Sequence, residues 1–394
     1  MVALEINMNQ AGQRLDKFLG KYLPQAPVSF FYKMLRKKNI TLNGKKAEGR
    51  EILQPQDQVT LWLADETILK FGGYLPKQEP ADAQAMTEGS HPEAESRSKR
   101  EALYCQAYKQ LQGITVLYED AHVLVLNKPA GVLTQQAKEG DLSLNEWMIG
   151  YLLDTGAITA QELRLFKPSV CNRLDRNTSG LVLCGKSLPG SQALSELIRS
   201  RTVRKFYRTI CVGKMGTADS GAVTEMQDYM HIAGYLQKDS RTNQVTIRRQ
   251  GPGEYIQTAY QPVGQYCIPA KALGAVQMLP DALQGQEELC FTELEVELIT
   301  GKTHQIRAHL ASIGHPLIGD SKYGDTQVNQ LLKKRFGLRW QLLHAYQLQF
   351  PALEDGLASL SGRSIQAPLP AYFDAILREM TVLCQETTKF GGAN

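Results

Sequence analysis

The stretch Asn172-Arg173-Leu174-Asp175-Arg176-Asn177-Thr178-Ser179-Gly180, leading into Leu181-Val182-Leu183-Cys184, sets one carboxylate between two guanidinium groups ahead of a short apolar run. The run is bounded by a Thr-Ser-Gly turn and predicts a strand. Opposite charge within a few ångströms favours the ionised carboxylate. An anion at the end of such a strand is placed to attack or to orient a substrate. Taken alone, the Arg-Asp-Arg tripeptide reads equally well as a surface ion network.

Two later segments bear on that choice. Arg199, Arg201, Arg204, Lys205, Phe206, Tyr207 and Arg208 run into Thr209-Ile210-Cys211-Val212-Gly213. Basic residues interleaved with aromatics suit nucleic acid, because arginine meets phosphate while a ring stacks on a splayed base. The plainer alternative makes Tyr207 a strand residue packed in the core. Further on, Thr300-Gly301-Lys302-Thr303-His304-Gln305-Ile306-Arg307-Ala308-His309-Leu310 predicts a helix with Thr303 as its N-cap and Ile306 and Leu310 on one face. Arg307 would project from it as a single fixed cation. His304, His309 and His315 lack the i, i+4 spacing of a His-Glu-x-x-His helix. They are expected to be hydrogen-bonding or core residues, with no metal bound.

The 394 residues are too many for one small core and predict two or three domains. Composition is that of a globular chain, 43% hydrophobic and 21% charged, and no window approaches the roughly 20 apolar residues of a membrane span. Met1-Val2-Ala3-Leu4-Glu5 lacks the basic and apolar regions of a signal peptide, so a cytoplasmic location is expected. Seven scattered cysteines, never in a Cys-x-x-Cys pair, predict reduced thiols and neither a disulfide framework nor a zinc site.

The net charge of +4 is modest, but its distribution is uneven. Between residues 13 and 63, Arg14, Lys17, Lys21, Lys33, Arg36, Lys37, Lys38, Lys45, Lys46 and Arg50 outnumber the acids. Leu15, Phe18 and Leu19, then Phe31, Met34 and Leu35, recur at helical spacing. Asn43-Gly44 signals a tight hairpin before the strand Val59-Thr60-Leu61-Trp62-Leu63. That module is either a polyanion binder or a small domain with a solvated basic surface. The expected organisation is an α+β module over 1–74, a flexible linker over 75–107, and an α+β catalytic domain over 108–394 with a mostly antiparallel mixed sheet. A Gly/Pro-rich stretch within 217–288 reads as an insertion of unknown use.

In order and wording, these segments resemble the motifs of RluA-type pseudouridine synthases. That family shows His-Arg-Leu-Asp-Arg-x-Thr-Ser-Gly, a Lys-x-Tyr segment and Thr-Gly-Arg-Thr-His-Gln-Ile-Arg. The likeness takes in Tyr118-Glu119-Asp120 to Lys128-Pro129-Ala130-Gly131, and extends to Leu343-His344-Ala345 and Ala367-Pro368-Leu369-Pro370. The basic module, with Arg36-Lys37-Lys38-Asn39-Ile40-Thr41-Leu42-Asn43-Gly44-Lys45, resembles the S-four-type RNA-binding module.

The resemblance implies a cofactor-free, metal-free isomerase converting uridine in RNA to pseudouridine, with ribosomal RNA favoured and a monomeric state expected. It makes Asp175 the catalytic carboxylate, Tyr207 the ring that stacks on the target base, and Arg307 the cation that pairs with the aspartate. Arg173 would enter the space left by the flipped nucleotide. Arg176, Arg204, Lys205, Arg36, Lys37 and Lys38 complete the expected RNA contacts. The chain departs from the family at Asn172, Asn177 and Lys302, where histidine, aspartate and arginine are usual. The rival readings are a non-catalytic RNA-binding or ribosome-assembly protein, a synthase acting on transfer RNA, and a hydrolase. A hydrolase of this type needs two carboxylates, and these motifs hold one.

Overall fold

The structure is a computed structural model that describes residues 1–75, 92–216, 229–239, 244–274 and 287–390. It opens with β1 (Val2–Glu5) and α1 (Leu15–Tyr22), whose Leu15, Phe18, Leu19 and Tyr22 form one buried stripe. Each such side chain stabilises the module by roughly 1.5–3 kcal/mol. α2 (Val28–Arg36) repeats the pattern with Phe31, Met34 and Leu35. β2 (Ile40–Leu42) turns into β3 (Lys45–Lys46) through Asn43 and Gly44, both left-handed, as Asn-Gly predicts. β4 (Gln58–Leu61) sits between β1 and β2 in a four-stranded sheet, and α3 (Asp65–Lys70) closes the module.

The flexible linker expected over 75–107 is corrected in its second half. Residues 76–91 lie outside the described ones, but α4 (Pro92–Gln110) is a helix whose Tyr104 and Ala107 are buried in the main core. Tyr104, Ala107 and Tyr108 share one helical face. The linker reading averaged composition across that stripe and lost it.

The main domain then runs β5 (Thr115–Glu119), β6 (Val123–Lys128), α5 (Leu144–Asp154), α6 (Glu162–Leu165), β7 (Ser169–Val170), β8 (Ser179–Gly185), α7 (Leu188–Arg199) and β9 (Arg204–Val212). It continues through β10 (Met230–Asp239), β11 (Gln244–Arg248), β12 (Glu254–Pro269), β13 (Glu288–Leu298), α8 (Gln305–Ser312), α9 (Thr326–Phe336), β14 (Leu343–Gln349), β15 (Ser364–Gln366) and α10 (Ala371–Phe390). One sheet joins these strands in the order β11-β10-β12-β13-β9-β14-β8-β6-β5, with β15 on β14 and β7 on β8. Every pair is antiparallel except β14 with β8. The expected α+β class with a mostly antiparallel mixed sheet is what forms. β8 is buried along its whole length, which explains its unbroken apolar sequence.

One further expectation, that of reduced cysteines throughout, is corrected. The Gly/Pro-rich part of the 217–288 stretch is largely β12, paired with both β10 and β13. Pro262 is accommodated by a register shift between Pro262 and Gly264. Residues 217–228, 240–243 and 275–286 lie outside the described ones. The cysteines are not all free, because Cys267 and Cys290 face each other across β12 and β13 and are joined by a disulfide. Strand register brings them together, and their sequence separation of 23 gives no hint of it. Glu288 lies beside this pair, but both sulfurs are already committed to each other.

The basic module docks on the main domain. Leu165 of α6 is buried in the module's core, Asn7 donates to Glu162, and Arg164 Nη2 donates to the Gly72 carbonyl at 2.6 Å. Among the described residues no helix is long and apolar enough to cross a membrane.

Gly180 marks the point where the Asp175 loop enters the sheet. Its φ is +115°, and a Cβ there would lie 2.2 Å from the Ala345 carbonyl oxygen. Gly180→Ala is expected to destabilise the protein by roughly 3–5 kcal/mol, combining backbone strain with a clash against β14. A denaturant midpoint within error of wild type would contradict this.

Candidate active site

A cleft of about 620 Å³ opens where the loop before β8, the strand β9 and the first turn of α8 converge. That size accommodates a small organic ligand. Asp175, Arg173 and Arg176 come from the loop, Lys205 and Tyr207 from β9, and His304 and Arg307 from the start of α8. Three segments far apart in sequence therefore meet, including all three residues proposed from sequence as catalytic.

The Asp175 loop is clamped along its backbone. Asn172 Oδ1 accepts from the Leu183 amide at 2.6 Å. The Thr134 hydroxyl donates to the Leu174 carbonyl at 2.7 Å. The Arg176 carbonyl accepts from Gly131 N at 2.9 Å and from Lys128 Nζ at 3.0 Å. Lys128 is fully buried at the end of an apolar strand, and its ammonium also donates to the Pro129 and Val132 carbonyls. Three donors meet three carbonyls. Burial pushes the Lys128 pKa down to about 7, while the charge of Asp175 pulls it up. Composition could not reveal Lys128, although a lysine closing Val123-Leu124-Val125-Leu126 was a signal in hindsight.

Arg307 Nη1 donates to Asp175 Oδ2 at 2.8 Å. Sequence reasoning missed why Arg307 stays there. Asp320 accepts from Arg307 Nε at 2.6 Å and from Nη2 at 2.8 Å, a bidentate pair with both side chains almost wholly buried. Burial opposes both charges, but the pairing wins: the Asp320 carboxyl is held below its usual range, and the Arg307 guanidinium is raised. Asp320 is held in turn by the Lys322 and Tyr323 amides. Asp175 itself is 26% exposed to the cleft, and only its Oδ2 is engaged by hydrogen bonding among the described residues.

Tyr207 lies on β9 between Val296 of β13 and Ala345 of β14, buried in the core with its ring lining the cleft. The core-packed strand reading of it holds, and the ring is also within reach of the cleft. Burial, then the nearby Asp175 charge, push its phenol pKa up, so it stays protonated. Lys205, two residues earlier, lines the same side, and burial lowers its pKa.

Arg204 falls on the opposite side of β9. Its guanidinium is taken up by Glu297 at 2.7 and 2.8 Å and sits over the Phe206 ring, on the side of β9 away from the cleft. Arg173 is exposed at the cleft, and Arg176 Nε bonds the Gly131 carbonyl at 3.0 Å. Arg36, Lys37 and Lys38 are exposed at the end of α2, in the basic module.

Thr303 is not the N-cap of α8. That position is His304, in a left-handed conformation with φ +55°, and Gln305 accepts from Lys302 N and from Thr300 Oγ1 instead. The three histidines do not converge. His309 is buried against Thr258, His315 bonds the Val212 carbonyl, and His304 lines the cleft. Of the departures from the family motif, Asn172 is satisfied by β8, Lys302 pairs with Glu254, and Asn177 Oδ1 is buried without a partner.

Residues 122–312 match the family model described as RNA pseudouridylate synthase. Ribosomal large subunit pseudouridine synthase C of Vibrio cholerae is 28% identical over 385 residues, covering 96% of both chains. The Escherichia coli K12 protein of the same description is 26% identical over 351 residues, covering 88% of this chain and 87% of its own. Among solved structures, human RNA pseudouridylate synthase domain containing 4 matches with a TM-score of 0.47 and 20% identity, covering 72% of this chain and 97% of its own.

Proposed function

We propose that this chain, matched over residues 122–312 by the RNA pseudouridylate synthase family model, isomerises specific uridines to pseudouridine in large-subunit ribosomal RNA, with Asp175 as the acting carboxylate. The observation that carries the reading is the Asp175–Arg307 pair at 2.8 Å on the floor of a cleft that Tyr207 also lines.

The reaction breaks the bond between ribose C1′ and uracil N1, turns the base, and joins C1′ to C5. The C5 proton leaves and N1 gains one, so nothing is consumed. Asp175 Oδ1 is the oxygen left open to the ribose. It acts by attack at C1′, or by taking the 2′ proton to give a glycal. Arg307 keeps the carboxylate anionic in both routes. Tyr207, a protonated phenol, offers its ring as a stacking surface for the extruded base.

Flipping the nucleotide costs a few kcal/mol. Arg173, exposed at the cleft, fills the vacated space in the helix, while Arg176 and Lys205 meet neighbouring phosphates. The basic module binds structured RNA through Arg36, Lys37 and Lys38. The protein works as a cytoplasmic monomer. Mapping pseudouridine across total RNA from cells with and without the gene tests the reading, and an unchanged ribosomal pattern would reject it.

Replacing Arg36, Lys37 and Lys38 together by Gln leaves the module's docking on α6 intact, since all three are exposed. The triple variant is expected to bind RNA more weakly, with a log–log salt slope shallower by about 2–3. Equal slopes for variant and wild type would remove the module's phosphate contacts from the proposal.

A further inference from the structure

Asp175 Oδ2 has a second polar neighbour besides Arg307, held by a part of the chain whose use was not legible in the sequence. His304 Nε2 lies 3.8 Å from it. On the other side of the ring, His304 Nδ1 is 3.0 Å from Tyr323 Oη, with the two rings edge-on at 5.7 Å. Tyr323 Oη also accepts the backbone N–H of Val245, on β11, at 2.9 Å. Beneath this contact Leu236, Val245 and Ile256 pack with Ala308 of α8, and Tyr323 lies against the cluster.

The chain of bonds assigns the ring's proton. A phenol has one proton to give. With the Val245 amide already donating into Oη, that proton has His304 Nδ1 as its acceptor. Were Nδ1 protonated instead, two N–H groups would point at Oη, and the phenol proton would have no acceptor among the described hydrogen bonds. Nδ1 is therefore the acceptor, and the proton sits on Nε2, facing Asp175. The left-handed backbone at His304 agrees with a side chain held in place by its partners rather than by helix geometry.

We propose that the β10–β11 hairpin, acting through Val245 and Tyr323, fixes His304 as a neutral Nε2–H imidazole, and that His304 is a positioning residue for Asp175. Arg307 bonds Oδ2, and the His304 N–H is directed at the same oxygen from 3.8 Å, so that Oδ1 alone faces the ribose. This rests on the reading of Asp175 as the acting carboxylate. The groups facing His304 are Asp175 and Asp320, Arg307 and Lys322, and Tyr323. Burial, aided by the two cations, lowers the His304 pKa against the pull of the carboxylates, which keeps the ring neutral near pH 7.

The test uses the full chain and two readouts. In long-range proton–nitrogen spectra of protein labelled at histidine nitrogens, assigned with His304→Gln, the His304 ring should appear as the Nε2–H tautomer at pH 7. A dominant Nδ1–H form, or a doubly protonated ring, overturns the proposal whether or not the enzyme is active. In turnover, His304→Ala should lower kcat by about 10-fold, the loss of a neutral N–H dipole directed at the carboxylate from 3.8 Å, with KM for RNA nearly unchanged. His304→Gln, which keeps a neutral donor, should recover most of that loss. Tyr323→Phe keeps the ring over Arg307 but frees Nδ1 to take a proton, and should move the loss of activity on acidification to a higher pH than in wild type. Wild-type kcat in His304→Ala, no recovery in His304→Gln, or an unaltered pH profile in Tyr323→Phe would each overturn it. A wild-type protein that makes no pseudouridine would instead overturn the function itself and leave the tautomer result standing.

Discussion

Asp175→Asn should abolish turnover, a fall of at least roughly a thousandfold, while RNA affinity stays within about threefold. The amide is isosteric and can still accept from Arg307, so the clamped loop keeps its shape. It loses the negative charge and the oxygen proposed to act at C1′, and among the described residues no second carboxylate lines the cleft to replace it. In the proposed reading affinity resides in cations spread over both domains, and removing one anion does not weaken contacts to phosphate. Release of tritium from C5-labelled uridine in a validated RNA measures the chemistry, and filter binding measures affinity. Turnover retained by the variant would refute the assignment of the acting carboxylate. An equal collapse of binding would show that the substitution disturbed the cleft rather than its chemistry.

Asp320→Ala should be the most disruptive single change behind the site. It strands a guanidinium that is 6% exposed and leaves two of its donors without acceptors. Breaking one side of such a buried pair costs about 3–5 kcal/mol. The freed Arg307 could turn away from Asp175, so activity should fall with stability. Asp320→Asn retains one acceptor and should lose less of both. The sign of the pH dependence follows from the carboxyl. Its folded pKa lies below the ordinary 3.8, so the pair's contribution is present above that value and is lost as the pH falls through the lower, folded value. Denaturation curves of wild type and Asp320→Asn should therefore converge in acid and separate near neutral pH. A constant difference between them down to about pH 2 would show that the fold does not lower the Asp320 pKa.

Much of the site could be read along the chain because its chemistry is concentrated in short segments. The Arg-flanked Asp175, the Lys205-x-Tyr207 step and Arg307 each stand beside their own strand or helix signal. The alternation of β9 was also readable in principle. Because side chains on a strand alternate, Arg204 could not share a face with Tyr207. The helical stripe of α4 was likewise present in Tyr104, Ala107 and Tyr108, but was hidden by the polar residues around it.

The amino-acid sequence by itself carried the class of fold and the helices and strands of the basic module, which depend on local periodicity and on residue type. Its family resemblance singled out Asp175, Arg307 and Tyr207. Only the tertiary structure decided what holds them. Asp320, Lys128, Thr134 and the Val245–Tyr323–His304 chain act across strand register and helix packing, between residues remote in sequence. The Cys267–Cys290 bond arises in the same way. A hydrogen bond or ion pair is sensitive to tenths of an ångström, and no pattern along one chain records which distant atoms will come that close.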